Sequence, residues 1–306
     1  MKRLRQEFAD TMSEIGVSDD RLVVLVGDIS HGILAKFATN CPGRYFNVGI
    51  CEPTIVNMAA GLNKTGLIPV VHTIAPFLIE RAYEQIKLDF GYQCLSGNFI
   101  TVGGAFDYSQ LGCSHHCYSD VSLMCHVENT QVMLPGSAEE FRALFIQSYA
   151  EQKINYFKLT ENPHGLEFAE KIVIGRGIRV ISGSDITLVA VGSQLRNTMI
   201  AAENLIKEGW SIEVLYYHTL KPFDDKLLRN SVIKTKKMIT IEELSSHDGL
   251  YNLCLKSLIG VGKFDATQLA VEGFVHGYGT YEELCEKVGL TADNIYLNSV
   301  RMLTKE

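Results

Sequence analysis

The chain has 306 residues and carries 28 Lys and Arg against 35 Asp and Glu, which gives a formal net charge of -7 at pH 7. Hydrophobic residues make up 46% and charged residues 21% of it, so the composition excludes a disordered tail, a fibre and a small disulfide-stapled scaffold. The acidic balance argues against a nucleic-acid binder, because such binding depends on Lys and Arg that neutralise phosphates. Small-molecule chemistry is therefore the first function class to consider.

The eight cysteines are too sparse in a chain of this length to form a disulfide framework. No apolar h-region follows the charged N-terminal residues, and no run reaches the roughly 18 apolar residues that a membrane-spanning helix needs. We therefore expect reduced thiols, a cytoplasmic location and no membrane partner.

In the first half of the chain, short apolar runs typical of buried strands alternate with segments of helical periodicity. Helices are predicted over residues 4–15, 53–65, 77–90, 120–125 and 138–152. Strands are predicted over residues 21–28, 45–48, 68–73, 99–103, 130–134 and 155–159. Because continuous apolar strands are typical of parallel sheets covered on both faces, the pattern predicts a doubly wound α/β domain over residues 1–165.

The second half repeats this alternation on a smaller scale. The glycine-bearing segment 166–183 is predicted to be a linker. Beyond it, strands are predicted over residues 186–192, 211–216 and 237–242, with a helix over 195–208 and a further helix opening at 221–224. These elements predict a second, smaller α/β domain over residues 184–306, so the expected fold is two consecutive doubly wound domains.

Three loops after predicted strands carry polar residues of interest, and parallel sheets place function at the carboxyl ends of their strands. The first ends in Asp28, the second leads to Glu52 at the entry of a helix, and the third contains His115 and His116. Taken singly, each carboxylate has a simpler role. Asp28 could form a turn or cap a helix N-terminus. Glu52 could simply stabilise a helix by placing a negative charge at its N-terminus.

The cysteines and histidines between positions 113 and 126 raise a zinc site as an alternative. Their spacing fits neither CxxC pairs nor an HxxxH helix, and two adjacent histidines point in different directions on any regular element. We therefore predict no metal site in this chain.

In combination and in this order, the loops of the first half resemble the pyrimidine-binding domain of transketolases. The matching segments are residues 27–28, 44–53, 58–62, 72–86 and 112–116. The second half is similar to the C-terminal domain of the same family, through residues 186–192, 221–222, 240–243 and 248–250. The resemblance covers essentially the whole chain and implies thiamine diphosphate as the cofactor.

The resemblance assigns roles to single residues. Glu52 matches the family carboxylate that hydrogen-bonds atom N1′ of the cofactor's aminopyrimidine, a task for which the acid form of Glu can donate its proton. Phe77 matches the aromatic residue that stacks on this ring, and Tyr83 is a weaker match that is equally consistent with a core position. By the same matching, Asp28 approaches the thiazolium and Ile50 lies beneath the bend of the cofactor.

His115 corresponds to the family histidine that acts on the substrate's hydroxyl or carbonyl group, which suits an imidazole because it exchanges protons near neutral pH. No role follows for His116. Two positions depart from the family: Gly103 stands where many transketolases have a further substrate-binding histidine, and Glu161 where many have an arginine for the sugar phosphate. A carboxylate cannot clamp a phosphate, so either a partner chain supplies the cation or the substrate is not a typical sugar phosphate.

The diphosphate-binding half of the family, marked by Gly-Asp-Gly and a downstream Asn, has no counterpart in the sequence, because Gly27-Asp28 is followed by Ile29. Mg²⁺ prefers oxygen ligands and bridges the diphosphate, so the resemblance implies that its ligands lie on another polypeptide. We therefore expect the C-terminal subunit of a split transketolase, inactive alone, that assembles with an N-terminal subunit as an α2β2 heterotetramer.

The leading hypothesis for function is transfer of a two-carbon ketol unit from a ketose to an aldehyde acceptor, with sugars or sugar phosphates as substrates. The alternatives with the same fold are a 1-deoxyxylulose-5-phosphate synthase-like or a 2-oxo-acid dehydrogenase E1β-like subunit, and the loop around His115 favours the transketolase. An alternative from a different class is a non-catalytic regulatory relative. The complete local motif around Glu52 argues against it, since a scaffold does not require a carboxylate there.

Overall fold

A computed structural model describes residues 2–305, whose strands form one sheet of seven strands and one of five. The strands are β1 (Leu22–Val26), β2 (Tyr45–Asn47), β3 (Ile68–Ile74), β4 (Gly97–Val102), β5 (Thr130–Met133), β6 (Ile154–Lys158), β7 (Ile178–Ile181), β8 (Ile186–Val191), β9 (Ile212–Tyr217), β10 (Thr219–Lys221), β11 (Lys237–Ser245) and β12 (Asp265–Val271).

The α-helices are α1 (Leu4–Ser18), α2 (His31–Asn40), α3 (Glu52–Lys64), α4 (Tyr83–Gln85), α5 (Asp120–His126), α6 (Ala138–Ser148), α7 (Leu195–Lys207), α8 (Asp225–Thr235), α9 (Leu250–Ser257), α10 (Tyr281–Lys287) and α11 (Ala292–Thr304). Two π-helical turns, Pro76–Glu80 and Ile86–Tyr92, flank α4. Among residues 2–305, no helix is both long and apolar enough to cross a membrane.

The first sheet has the strand order β10-β5-β6-β4-β3-β1-β2, and its strands β1 to β6 pair in parallel. Alternate residues of β1 face opposite sides of the sheet. Val23 and Leu25 belong to one hydrophobic cluster, whereas Val24 and Val26 belong to another. Both faces are therefore covered, which explains why the strand is continuously apolar in sequence and confirms the doubly wound α/β architecture.

The second sheet has the order β12-β11-β8-β9-β7, with β7 antiparallel at one edge. One hydrophobic cluster extends from Val23 and Leu25 of the first sheet to Val189 and Leu215 of the second. The two sheets consequently share apolar packing.

The edge strand β10 also joins the two halves of the chain, because it follows β9 of the second sheet but pairs antiparallel with β5 of the first. At its end, the Lys221 ammonium donates to the carbonyls of Cys125 and Val127, at 2.9 and 2.8 Å, and to the hydroxyl of Thr130 at 2.7 Å. Burial lowers the pKa of Lys221. The second half thus completes one edge of the first sheet.

Several elements differ from the sequence-based expectations, and β12, α9, α10 and α11 were not predicted at all. Strand β7 lies within residues 166–183, which were expected to form a linker. Strand β10 was not predicted, and the helix expected to open at 221–224 begins soon after it, at Asp225, as α8. Helix α2 was not predicted, since it buries only Leu34 and Phe37 fully and therefore shows little periodicity. The helix predicted over residues 77–90 is interrupted by the π-helical turns, whose extra residue a period of 3.6 does not reveal.

A buried carboxylate links α6 to the second sheet. Oε2 of Glu140 accepts from the backbone N–H of Gly136 and from the hydroxyl of Tyr216 on β9, each at 2.7 Å. Its Oε1 lies 2.7 Å from Nε2 of His164. The side chains of Glu140, His164 and Tyr216 are all buried. Each hydrogen-bond partner therefore helps to compensate the desolvation of the carboxylate.

We expect Tyr216→Phe to lower the free energy of unfolding by about 2 kcal/mol, because it leaves a buried oxygen of Glu140 without one of its donors. Urea denaturation of the full chain measures this loss. Tyr296→Phe is the matched control, since it removes a Tyr-to-Glu hydrogen bond at the protein surface, from Tyr296 to Glu208. Equal losses in the two variants would contradict the assignment of Glu140 as a buried link between the two halves.

Candidate active site

The candidate site lies at the carboxyl ends of four neighbouring parallel strands, β4, β3, β1 and β2. Because these ends meet at one edge of the sheet, the loops that follow them come together. Asp28 follows β1, Glu52 follows β2, Phe77 follows β3 and His115 follows β4.

Glu52 is the first residue of α3, and only 1% of it is exposed. Its Oε2 accepts from Nη1 of Arg81 at 2.7 Å, and its Oε1 from the hydroxyl of Thr73 at 3.4 Å. The N-terminus of α3 adds a favourable electrostatic environment for a carboxylate. The sequence therefore places a carboxylate inside the protein, with an arginine as its main partner.

Gly27, between β1 and Asp28, makes room for this carboxylate. A Cβ atom at position 27 would lie 3.0 Å from Oγ1 of Thr73 and 3.4 Å from Oε1 of Glu52. Glycine at the end of β1 thus permits the close approach of the Thr73 and Glu52 side chains.

Phe77 lies on the first π-helical turn after β3, and Arg81 is the residue that directly follows this turn. The guanidinium carbon of Arg81 lies 4.3 Å from the centroid of the half-buried Phe77 ring, and the His115 ring meets that ring edge-on at 5.1 Å. The structure therefore brings together Glu52, Phe77 and His115, with Arg81 between the first two. The sequence reasoning missed Arg81; its position four residues after an aromatic residue in a helical segment was the available signal.

The loop after β4 positions His115. Its Nδ1 lies 3.0 Å from the hydroxyl of Ser114, and its ring is 6.2 Å from that of Tyr108. The Tyr108 ring occupies the space above Gly103, where a Cβ atom would lie 2.3 Å from Cε2 of Tyr108. Gly103 also has a φ of 71°, a conformation that favours glycine. An aromatic ring therefore fills the space beside Gly103, the position at which many transketolases have a substrate-binding histidine.

Asp28, Ile50 and Tyr83 have other surroundings, and their expected roles stay predictions. Asp28 is exposed, and hydrogen bonds from Asn47 and His31, at 3.1 and 3.0 Å, lower the pKa of its carboxyl group. Ile50 is 72% exposed. Tyr83 packs, partly buried, against the hydrophobic cluster that both sheets share.

His116 differs from its neighbour because it is only 3% exposed. Its ring meets the edge of Phe106 at 5.7 Å, and neither ring nitrogen has a hydrogen-bond partner among the described residues. Burial lowers the pKa of His116, which favours the neutral ring. Within residues 2–305 all eight cysteines are free, and no group of three or more His, Cys, Asp or Glu side chains is arranged to hold a metal ion.

The arrangement fits the pyrimidine half of thiamine diphosphate. Glu52 offers a buried carboxyl group, Phe77 offers a flat ring, and a planar N–H donor, the guanidinium of Arg81, already lies against both. An aminopyrimidine needs the same two contacts, a stacking partner and a carboxyl group at its ring nitrogen. The diphosphate half is not matched. The same edge carries the exposed carboxylates of Asp28 and Glu80, the Arg81 guanidinium there is paired with Glu52, and no group of three or more His, Cys, Asp or Glu side chains among the described residues is arranged to hold a metal ion.

Comparison with known proteins matches both halves of the chain. Residues 1–162 match the family described as the transketolase pyrimidine-binding domain, and residues 175–295 match the transketolase C-terminal domain. A 6-deoxy-6-sulfo-D-fructose transketolase subunit from Clostridium sp. (strain MSTE9) is 30% identical over 295 residues, which are 95% of this chain and 92% of that protein.

Two further similarities agree with these. A solved structure titled "Split gene transketolase, inactive beta4 tetramer" is 30% identical, superimposes with a TM-score of 0.89 and shares 98% of each chain. A 1-deoxy-D-xylulose-5-phosphate synthase from Syntrophotalea carbinolica is also 30% identical over 94% of this chain, but the match spans only 46% of that protein.

We expect Gly103→Ala to lower the free energy of unfolding by about 3 kcal/mol, because the new methyl group clashes with the Tyr108 ring and strains the backbone. Gly43→Ala is the matched control: Gly43 has a φ of 77°, but a Cβ atom there meets nothing within 4 Å. That variant should lose only about 1 kcal/mol, from backbone strain alone. Urea denaturation compares the two, and equal losses would show that Tyr108 is not held tightly beside His115.

Proposed function

The chain belongs to the transketolase family and is a transketolase-type subunit, and from this premise we propose that it is the pyrimidine-binding, catalytic subunit of a split transketolase. In this proposal it works with thiamine diphosphate and moves a two-carbon ketol unit from a ketose to an aldehyde acceptor. The supporting observation is the buried Glu52 carboxyl group beside the Phe77 ring. Burying a carboxylate costs free energy of desolvation, so its presence beside an aromatic ring favours a functional role over a scaffold.

When bound, thiamine diphosphate supplies the nucleophilic carbon that forms and breaks the bond to the transferred unit. In our proposal Glu52 holds a proton at atom N1′ of the pyrimidine, and Phe77 supports the ring by stacking. His115, whose ring touches the edge of Phe77, moves a proton at the substrate's hydroxyl or carbonyl oxygen. Asp28 and Ile50 complete the cofactor site from the exposed loops after β1 and β2.

A second chain, in this proposal, provides the ligands for the diphosphate and Mg²⁺. The acidic side chains at the edge of the site support this, because a diphosphate anion needs cations. Elements next to the site also expose apolar side chains suited to a protein interface: Met58 on α3, and Leu88 and Tyr92 on the second π-helical turn, are 38%, 45% and 85% exposed. An α2β2 heterotetramer is the assembly that we propose.

The two matched family domains support a division of the chain into domains at residues 1–165 and 184–306. Because β10 pairs with the first sheet, the second domain in this proposal stabilises the sheet that carries the site.

The experiment that tests the catalytic proposal is Glu52→Gln in the complex reconstituted with the diphosphate-binding subunit. We expect kcat to fall about a hundredfold or more, because the amide cannot hold and release a proton at the pyrimidine. Glu213→Gln is the matched control, since Glu213 is also buried and also ion-paired, with Lys234, but belongs to the second sheet. Unchanged turnover in Glu52→Gln would remove the catalytic assignment.

The exposed Glu161 lies three residues beyond the end of β6, which neighbours β4, and is therefore at the same edge of the sheet as the loop that carries His115. We expect the complex to use non-phosphorylated ketoses better than ketose phosphates, because this carboxylate repels a phosphate. Glu161→Ala should raise kcat/KM for phosphorylated donors about threefold, an effect typical of one exposed charge, and leave free ketoses unaffected. Glu167→Ala, another exposed carboxylate of the same segment, is the control. Efficient use of xylulose 5-phosphate by the unmodified complex, together with an unchanged Glu161→Ala variant, would refute this substrate preference.

A further inference from the structure

Arg81 makes two contacts with the candidate site that differ in kind. Its Nη1 donates to Oε2 of Glu52 at 2.7 Å, and its guanidinium lies over the Phe77 ring at 4.3 Å from the ring centroid. One contact is a charge-assisted hydrogen bond and the other is a cation–π contact. The same side chain thus engages both the carboxyl group and the aromatic ring that our proposed function assigns to the cofactor.

An aminopyrimidine ring bound at this site makes the same pair of contacts: a flat face against Phe77 and a polar edge against the carboxyl group of Glu52. The guanidinium and the pyrimidine therefore require the same space and the same partners. We propose that Arg81 occupies the place of the aminopyrimidine in the chain without cofactor and leaves it when thiamine diphosphate binds. This inference rests on the proposed function, because it concerns the same site.

Burial explains which partner moves. Glu52 has a side chain that is 1% exposed, whereas that of Arg81 is 45% exposed. A long, half-exposed arginine reaches water by rotating its own side chain, whereas the Glu52 side chain is enclosed by the protein. Arg81 is therefore the mobile member of the pair, and Glu52 stays in position for either partner.

The backbone places Arg81 over Phe77. The Arg81 N–H donates to the carbonyl of Pro76 at 3.1 Å, a π-helical hydrogen bond between residues five apart. Such insertions of one residue into a helix are frequent at functional sites. Here the insertion directs the arginine back toward the carboxyl group at the entry of α3.

Two consequences follow for the chain without cofactor. The Arg81 guanidinium compensates the buried charge of Glu52, so the free chain does not carry an unpaired carboxylate. The arginine also competes with the cofactor, because the apparent affinity falls in proportion to the fraction of molecules whose site is open.

The first test measures cofactor binding. Calorimetry gives the Kd of thiamine diphosphate, with Mg²⁺ present, for the complex of this chain with its diphosphate-binding subunit. Arg81→Gln should bind the cofactor about three- to tenfold more tightly than the unmodified complex, because the competitor is gone. Arg142→Gln is the matched control, because Arg142 lies on α6 and also pairs with a glutamate, Glu14. The Kd of thiamine diphosphate for the Arg142→Gln complex should equal that for the unmodified complex.

The second test needs no cofactor. In thermal unfolding of the full chain alone, Arg81→Gln should lower Tm by about 3 °C, because Glu52 loses its partner. In a Glu52→Gln background the same substitution should leave Tm nearly unchanged, since no carboxylate remains to be paired. Equal shifts in both backgrounds would overturn the pairing, and Arg81→Lys, which keeps the charge but not the planar fork, provides a second variant should Arg81→Gln not fold.

The third test observes the arginine directly. In the complex, the ¹⁵Nε signal of Arg81 should move toward the value of a solvent-exposed arginine when thiamine diphosphate is added, and the signal of Arg142 should not move. If the unmodified complex binds no cofactor, the proposed function fails and this inference fails with it. If it binds cofactor but Arg81→Gln binds it equally or more weakly, or if the Arg81 signal is unchanged, the inference alone is overturned.

Discussion

The burial of the Glu52 carboxyl group is the constraint on which the rest of the candidate site depends. A carboxylate taken out of water is stable only if charges and donors surround it. The N-terminus of α3, the Thr73 hydroxyl and the Arg81 guanidinium provide these, and Gly27 leaves the space that they need. Each of the four strand ends at this edge has to deliver a particular residue, so the geometry of the parallel sheet and the chemistry of the site are not independent.

A second carboxylate, Glu140, is also buried and also surrounded by hydrogen-bond donors, but its role is structural. Its oxygens are shared among Gly136, His164 and Tyr216, which come from both halves of the chain. Together with Lys221 at the end of β10, this cluster couples the second sheet to the far edge of the first. The strands β2 and β3, which lead to Glu52 and Phe77, therefore belong to a sheet whose edge strand β10 comes from the other half of the chain. Perturbing either carboxylate removes compensation from a buried charge, but of the two it is Glu52 whose arginine partner also lies over an aromatic ring of the candidate site.

The fold was predictable where both faces of a strand are buried, as in β1, because a short and continuously apolar run such as Leu22–Val26 is typical of a central parallel strand. The short edge strands β7 and β10 escaped prediction, since an edge strand is paired on one side only and needs less apolar sequence. The grouping of Glu52, Phe77 and His115 was implied by the resemblance to the transketolase family, which the order of the loops carries. Arg81 did not, because an exposed arginine in a helical segment is usually a solvated side chain, and only the π-helical turn directs it back to Glu52.

The electrostatics of the site give a physical reason for the division of the thiamine diphosphate site between two chains that we propose. The aminopyrimidine is a neutral ring and requires a carboxyl group, whereas the diphosphate is an anion and requires cations. Arg81 compensates the charge of Glu52, but the same edge also presents the exposed Asp28 and Glu80, and a chain with a formal charge of -7 adds to this negative field. A single surface cannot satisfy both ends of the cofactor well. In the proposed assembly the acidic edge holds the ring and the metal-bearing partner holds the phosphates, so the cofactor binds where opposite fields meet.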